Sequence, residues 1–416
     1  MGTKTVSDYS MLDHATQSDP YEFYALLHEE CPVYHMPETG FYMVTKYEDM
    51  RRVLKDTDIF TSDVRRTVGL QGDGNTNIYQ EILADRGWSH VQTLQRTDPP
   101  EHTRYRKLLD RVFTAKRVRG MLPYIEDVTN ELIDGWIDDG EVEFISKFAM
   151  PQPGIIIAEQ LGLDRSQVGT FKKWADAMLA TAIKPLTEAQ IRATAEIELE
   201  AQHFFAKVFE DRRTNPTDDL MSGFVHAHGD DEEPLTMHEL QNLMHQLITG
   251  GFETTQSALA HSMWLLLRHP ELQTRLRDDP SLIKNFVEEA LRFESPVQGL
   301  SRMTTQDVDI GGITIPANSM VVVRYGAANR DPDKFECPHQ FDLDRKNAGA
   351  HIAFGMGAHF CVGAMLARQE MISAVTHIVR RMENIRLAKE MSDPVHDTSL
   401  FFLPIREMYL AFDKIT

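Results

Sequence analysis

The chain has 416 residues, with 43 Lys and Arg against 63 Asp and Glu, a net charge of −20, and 42% hydrophobic residues. That composition excludes disordered and fibrous classes and leaves enough apolar side chain for a large core. The acidity argues against a nucleic-acid partner and against broad binding to anionic membrane. Three cysteines (Cys31, Cys337, Cys361) without CxxC spacing argue against a disulfide framework and for a reducing compartment.

The first twenty residues lack the apolar run of a signal peptide, and the residues after Gly2 miss the myristoylation pattern. The longest stretch free of formal charge, Asn347 to Ala367, holds four glycines and two histidines and reads as a packed loop. A cytoplasmic protein without a membrane span is expected. Residues 40–55 read as a strand followed by a helix start, and the polar stretch 61–97, with GDGN at 72–75, reads as a flexible loop. Between about 100 and 300 the apolar residues recur at three and four, so helix dominates. The charged run from His226 to Glu233 reads as a solvated connection. Gly311 to Pro316 followed by Met320-Val-Val-Val323 reads as a small hairpin, and a last long helix is expected from about Ala364 to Met382. Nothing rich in Pro, Gly or Ser separates two domains, so residues 1–416 are expected to form one mostly helical catalytic domain with minor sheet.

The segment Phe354-Gly-Met-Gly-Ala-His-Phe-Cys-Val-Gly363 carries the most chemistry. Two glycines at spacing two let the backbone turn sharply. Cys361 then sits where a loop feeds a helix, whose positive end favours a thiolate able to serve as nucleophile or metal ligand. A lone intracellular cysteine is more often a small buried hydrophobe. That reading holds for Cys31 and Cys337, whereas the flanking glycines and His359 set Cys361 apart.

Phe354, Gly355, Gly357, His359, Cys361 and Gly363 resemble the heme-binding loop of the cytochromes P450. The resemblance implies that Cys361 is the thiolate ligand of a heme b (iron protoporphyrin IX) iron. Upstream, Gly250-Gly-Phe-Glu-Thr-Thr255 interrupts a helical pattern, and two mid-helix glycines cost about 1 kcal/mol each. The segment resembles the family's oxygen-binding groove, with Glu253 and Thr254 as the acid–alcohol pair that relays protons; the family usually has Ala where Gly250 stands. Taken alone, the glycines would also suit a close helix crossing. Glu289-Ala-Leu-Arg292 puts a carboxylate and a guanidinium on one helix face. It resembles the family's structural Glu-x-x-Arg, but Gln340 stands where many members supply a third charged partner. His102 and Arg106, at i and i+4, together with Arg302 and His359, match the positions that hold the heme propionates. Ala328-Asn-Arg-Asp-Pro332 also resembles a family stretch with a structural role.

The resemblance therefore implies a mainly α fold with minor β, the cytochrome P450 fold, with heme buried between the Glu253–Thr254 helix and the Cys361 helix. It implies monooxygenation: two electrons and two protons reduce dioxygen, one oxygen leaves as water and the other enters a C–H bond. The substrate expected is a small-to-medium apolar molecule such as a terpenoid, steroid, fatty acid or aromatic. It would be lined by segments including 61–97, the helix near Phe171, Trp174 and Met178, and residues Val297, Leu300 and Phe401. Electrons are expected from a [2Fe–2S] ferredoxin with its reductase. Between His102 and Arg119 stand seven Arg or Lys and one acid, Asp110, a basic stretch suited to an acidic donor, although charge runs are commonly solvated faces. The rivals are a peroxide-driven heme-thiolate enzyme, against which the acid–alcohol pair speaks, and a non-catalytic heme sensor. A zinc protein using Cys361 lacks a second soft ligand at structural-zinc spacing.

Overall fold

Residues 4–63, 75–183, 186–228, 233–388, 396 and 399–416 are described by the computed structural model. The chain divides into two compact units. One comprises Met1–Val64, Tyr124–Gln152 and Thr254–Thr416, the other Arg65–Pro123 and Pro153–Glu253.

The first unit holds the strands β1 (Val33–His35), β2 (Tyr42–Val44), β3 (Phe60–Thr61), β4 (Glu141–Glu143), β5 (Leu300–Thr304), β6 (Val308–Ile310), β7 (Ile313–Ile315), β8 (Met320–Val323), β9 (Met382–Leu387) and β10 (Tyr409–Lys414). Five of them form a sheet in the order β1-β2-β8-β5-β3. The strand β8 is apolar and buried along its whole length, as a central strand covered on both faces must be. It runs parallel to β2 (Val44↔Val323) and antiparallel to β5 (Leu300↔Val323).

This corrects the expected hairpin. Gly311 (φ +56°) and Gly312 (φ +80°) do form a tight turn, but it pairs β6 with β7, while Met320–Val323 leaves for the larger sheet. Two consecutive left-handed residues make glycine the natural choice at both positions. The expected strand and helix start in 40–55 appear as β2 and the helix Tyr47–Lys55.

The helical core of this unit is built by Ile283–Phe293 and Ala364–Arg381. Ile283, Phe286, Val287, Ala290 and Leu291 from the first, and Met371, Ala374, Val375 and Ile378 from the second, are buried at spacings of three and four. They share one cluster with Ala258, Leu259, Met263 and Leu266 of the helix Glu253–Arg268.

The second unit is helical. Two of its helices, Glu188–Thr214 and Met237–Gly251, open with capping boxes, Thr187 with Gln190 and Thr236 with Glu239. The expectation of an unbroken loop over 61–97 is corrected here: Asn75–Arg86 is a helix and Leu94–Arg96 a short 3-10 turn, while residues 72–74 of GDGN lie outside the described residues. Tyr79 and Leu83 pack on Ile191, Ala195 and Leu199, so burial of a narrow stripe outweighs the polar composition around it. His226 ends the helix Leu220–His226, and residues 229–232 of the charged run fall outside the described residues. Among the described residues no helix is long and apolar enough to cross a membrane.

Candidate functional site

In the first unit the loop before Ala364–Arg381 folds as its glycines require. Gly355 (φ +71°) and Gly357 (φ +72°) take left-handed conformations, and the Cys361 amide donates to the Phe354 carbonyl at 2.9 Å, closing the loop. A Cβ on Gly357 would come within 2.8 Å of the Leu54 carbonyl oxygen, so both conformation and space exclude a larger residue there. Cys361 stands two residues before the N-cap Gly363, and a Cβ built on Gly363 would sit 3.9 Å from Sγ. The sulfur therefore lies close to the start, and so to the positive end, of an eighteen-residue helix.

Phe354 is pinned by the Arg368 guanidinium, 4.4 Å from its ring centroid. Arg368 in turn forks onto Glu288 at 2.6 and 2.9 Å, and Glu288 also meets His351 Nε2 at 3.1 Å. Burial would push the Glu288 carboxyl up, but His351 and Arg368 hold it down to about 2, so it stays ionised. This bracing of the loop by Glu288, His351 and Arg368 has no local sequence signature and was missed.

Arg302 and His359 share this neighbourhood. Burial pushes the Tyr325 phenol upward, Arg302 opposes the shift and Cys361 adds to it, so both side chains act on one ring. Arg302 is 5% exposed and donates to the Ser301 carbonyl at 2.8 Å. Among the described residues it has no carboxylate partner, and a guanidinium so buried calls for an anion. His359 Nε2 lies 3.0 Å from Ser62 Oγ. Beside them Phe360, Met365 and Leu300 are 41–42% exposed, unusual for side chains of that size. A sulfur at a helix start, an unneutralised buried cation and exposed apolar side chains fit a flat apolar cofactor that carries carboxylates and a thiolate-binding metal.

Glu289 and Arg292 are fully buried and joined by two bonds, Nε to Oε2 at 2.7 Å and Nη2 to Oε1 at 2.8 Å. The third partner, unresolved from sequence, is Arg345, whose Nε donates to Glu289 Oε1 at 3.0 Å. Gln340 contributes only its carbonyl oxygen, which accepts from both arginines. The cluster fastens the segment before the cysteine loop. Nearby, Asn329 donates to Ser295 Oγ and accepts the Ile352 amide, each at 2.8 Å.

Of the remaining predicted residues, Gly250, Glu253, Thr254, His102 and Arg106 fall in the second unit or on its boundary. The helical pattern around Gly250 does break: one helix ends at Gly251, Phe252 caps it, and the next begins at Glu253. A Cβ on Gly251 would meet nothing within 4 Å and one on Gly250 only Gln95 Nε2 at 3.7 Å, so a close helix crossing does not explain either glycine. Burial, reinforced by Asp176 and opposed by Lys172, raises the Glu253 carboxyl above its usual range. Thr254 follows in the first turn of the second helix.

His102 (2% exposed) and Arg106 lie on one face of Glu101–Val112, where Arg106 Nε donates to Asp110 Oδ1 at 2.9 Å. Phe171, Trp174 and Met178 are buried on Val168–Ile183. In the first unit, Val297 bridges Phe402 and the Gln298 amide donates to the Phe401 carbonyl at 2.8 Å, so the Val297–Leu300 and 399–403 segments do meet.

Comparison with known proteins gives one consistent result. The profile of the family "Cytochrome P450" matches residues 9–412. Cytochrome P450 107B1 of Saccharopolyspora erythraea is 36% identical over 94% of this chain and 95% of its own length. The 6-deoxyerythronolide B hydroxylase of the same organism is 34% identical over 95% and 96%. Among solved structures, cytochrome P450 CYP109Q5 from Chondromyces apiculatus superposes with a TM-score of 0.84 at 31% identity, covering 98% of both chains.

Proposed function

The chain belongs to the cytochrome P450 family, whose cofactor is heme b and whose reaction is monooxygenation with dioxygen, and we propose that Cys361 is its thiolate ligand and that it hydroxylates an apolar organic substrate. The observation that carries this reading is the Cys361 sulfur at a helix start behind a glycine-turned loop, with Arg302 buried in its neighbourhood and without a carboxylate partner among the described residues. When bound, the heme supplies dioxygen activation and the redox steps. The chain supplies the rest.

Helix dipole and amides hold Cys361 as a thiolate. Arg302, His359, His102 and Arg106 supply donors for the two propionates, with each charge-assisted bond worth roughly 1.5–3 kcal/mol. Glu253, whose carboxyl burial and Asp176 raise above its usual range, is the acid of the proton relay, and the Thr254 hydroxyl stands one residue on to pass the proton. Val297, Leu300 and Phe401 give the substrate region apolar surface and exclude water. Hydroxylation of an apolar molecule is further supported by the relative named for hydroxylating 6-deoxyerythronolide B.

The electron donor we propose is a [2Fe–2S] ferredoxin meeting the basic stretch of residues 102–119. Some of its charge is already satisfied: Arg104 pairs with Glu239 at 2.6 Å and Arg117 with Asp218 at 3.1 Å. Arg111 and Arg117 line an open groove of ≈ 540 Å³. A charge-steered encounter slows as salt rises. Reversal of Arg111 and Lys116 to Glu should slow ferredoxin reduction while leaving substrate binding unchanged, and indifference to both salt and reversal would return the run to a solvated face.

The central test is the ferrous–CO spectrum. The holoprotein should give the thiolate type and Cys361→Ser should lose it together with hydroxylation; a variant that keeps it would remove Cys361 from the ligand role. Screening apolar compounds for a heme spin-state shift then identifies the substrate.

A further inference from the structure

In the second unit, three side chains from three separate elements converge on one point. Glu198 comes from the middle of Glu188–Thr214, His245 from Met237–Gly251, and His90 from the segment after Asn75–Arg86. One ligand atom of each lies within 4.8 Å of the other two. Glu198 is 1% exposed. Burial alone would drive its carboxyl upward, yet His245 and His90 hold it well below the usual range.

Among the described residues its only ion-pair partners are those two histidines: His90 Nε2 at 2.6 Å and His245 Nδ1 at 3.4 Å, both on Oε1. His245 Nδ1 is buried and has no hydrogen-bond partner among the described residues. Among the described residues this buried carboxylate thus has no lysine or arginine partner.

We propose that Glu198, His90 and His245 bind a single zinc-class divalent metal ion, a site separate from the heme. Two imidazoles and a carboxylate form a donor set suited to zinc. At bond lengths of ~2.1 Å, tetrahedral zinc separates its ligands by ~3.4 Å. His245 Nδ1 and Glu198 Oε1 already stand at 3.4 Å, and His90 Nε2 must withdraw from Glu198 Oε1 by ~0.8 Å from its present 2.6 Å.

The groups that would orient such ligands are also in place. The Tyr79 hydroxyl donates to Glu198 Oε2, Gln202 Nε2 donates to Oε1 at 3.3 Å, and the Gln80 amide faces His90 Nδ1 at 3.3 Å. Gln80 Oε1 also accepts the His90 backbone amide at 3.2 Å, which places its Nε2 donor on Nδ1 and the ring proton on Nε2. Metal binding through Nε2 therefore moves that proton to Nδ1 by tautomer exchange and requires the Gln80 amide to turn so that its oxygen accepts from Nδ1. The fourth position is left to water. The bound ion would tie the segment around His90 to two long helices.

The test uses chelator-treated holoprotein with zinc chloride as the probe. Zinc per chain after gel filtration, with the His245→Ala protein as reference, should rise by one equivalent, and zinc should raise the thermal midpoint of the wild type. His245→Ala and His90→Ala should each weaken binding at least tenfold and abolish the midpoint rise. Their heme absorbance, kept at wild-type intensity, shows that they fold. Glu198→Gln serves where a histidine variant fails to fold. Zinc content equal in wild type and in any folded variant, or no zinc bound by the wild type, would overturn the site and leave a hydrogen-bonded network.

Discussion

Glu370 lies on the Ala364–Arg381 helix, nine residues beyond the proposed ligand, and burial pushes its carboxyl from about 4.5 up to about 8. It is 3% exposed, and Oε2 has no hydrogen-bond partner among the described residues. The folded protein therefore keeps this acid protonated at neutral pH, whereas the unfolded chain ionises it. A raised carboxyl favours the folded state fully below pH ~4.5 and loses that advantage as pH climbs through ~8. Between pH 5 and 8 the loss is roughly 3.5 kcal/mol by proton linkage. With ~2.1 cal/mol/K per residue over 416 residues, the unfolding entropy is ~0.9 kcal/mol/K, which makes that loss ~4 °C in thermal midpoint.

Glu370→Gln removes the titration and keeps the shape. An unpaired amide costs about 1–3 kcal/mol, but equally at every pH. The measurement is the thermal midpoint of both proteins from pH 5 to 8. The variant should gain on the wild type by ~4 °C across that range. Parallel curves would refute the argument and mean that Glu370 is ionised in the fold.

On the acid side, burial lowers His261 to about 4, so its contribution is present above pH ~6.5 and lost as pH falls. His261→Leu should spare the protein about 3 kcal/mol of loss between pH 7 and 4, read as a smaller midpoint drop. Arg345→Met leaves Glu289 with Arg292 alone and should cost about 3 kcal/mol of stability with turnover per folded enzyme unchanged; an unaltered midpoint would make Arg345 dispensable. Thr254→Ala should retain heme and substrate but divert reducing equivalents to hydrogen peroxide, measured as product per reduced nicotinamide consumed. Full coupling would remove Thr254 from proton delivery.

What the sequence made legible was local. Gly355, Gly357 and Cys361 lie within seven residues, and Glu289 with Arg292 within one helical turn, so spacing alone carried their geometry. Partners brought in by tertiary packing were not readable. Arg345 reaches Glu289 across 56 residues, where the sequence left the third partner open, and His90 reaches Glu198 across 108. The helix Asn75–Arg86 was read as loop because its apolar stripe is narrow and follows a glycine-rich stretch. Only the partner helix makes that stripe worth burying.

The parallel pairing of β2 with β8 also sets a schedule for synthesis. Val44 and Val323 are register partners, so roughly 280 residues must leave the ribosome before β2 finds its neighbour. At 5–20 residues per second that is a delay of about 14–56 s. During this interval β2 can pair with β1 on one side only, and its other edge presents unpaired amides and carbonyls to any nascent strand nearby. Slowing synthesis lengthens that exposure in each chain, whereas lowering the number of chains made at once reduces the strands available to capture it. Expression yield should therefore respond to inducer dose more than to translation speed.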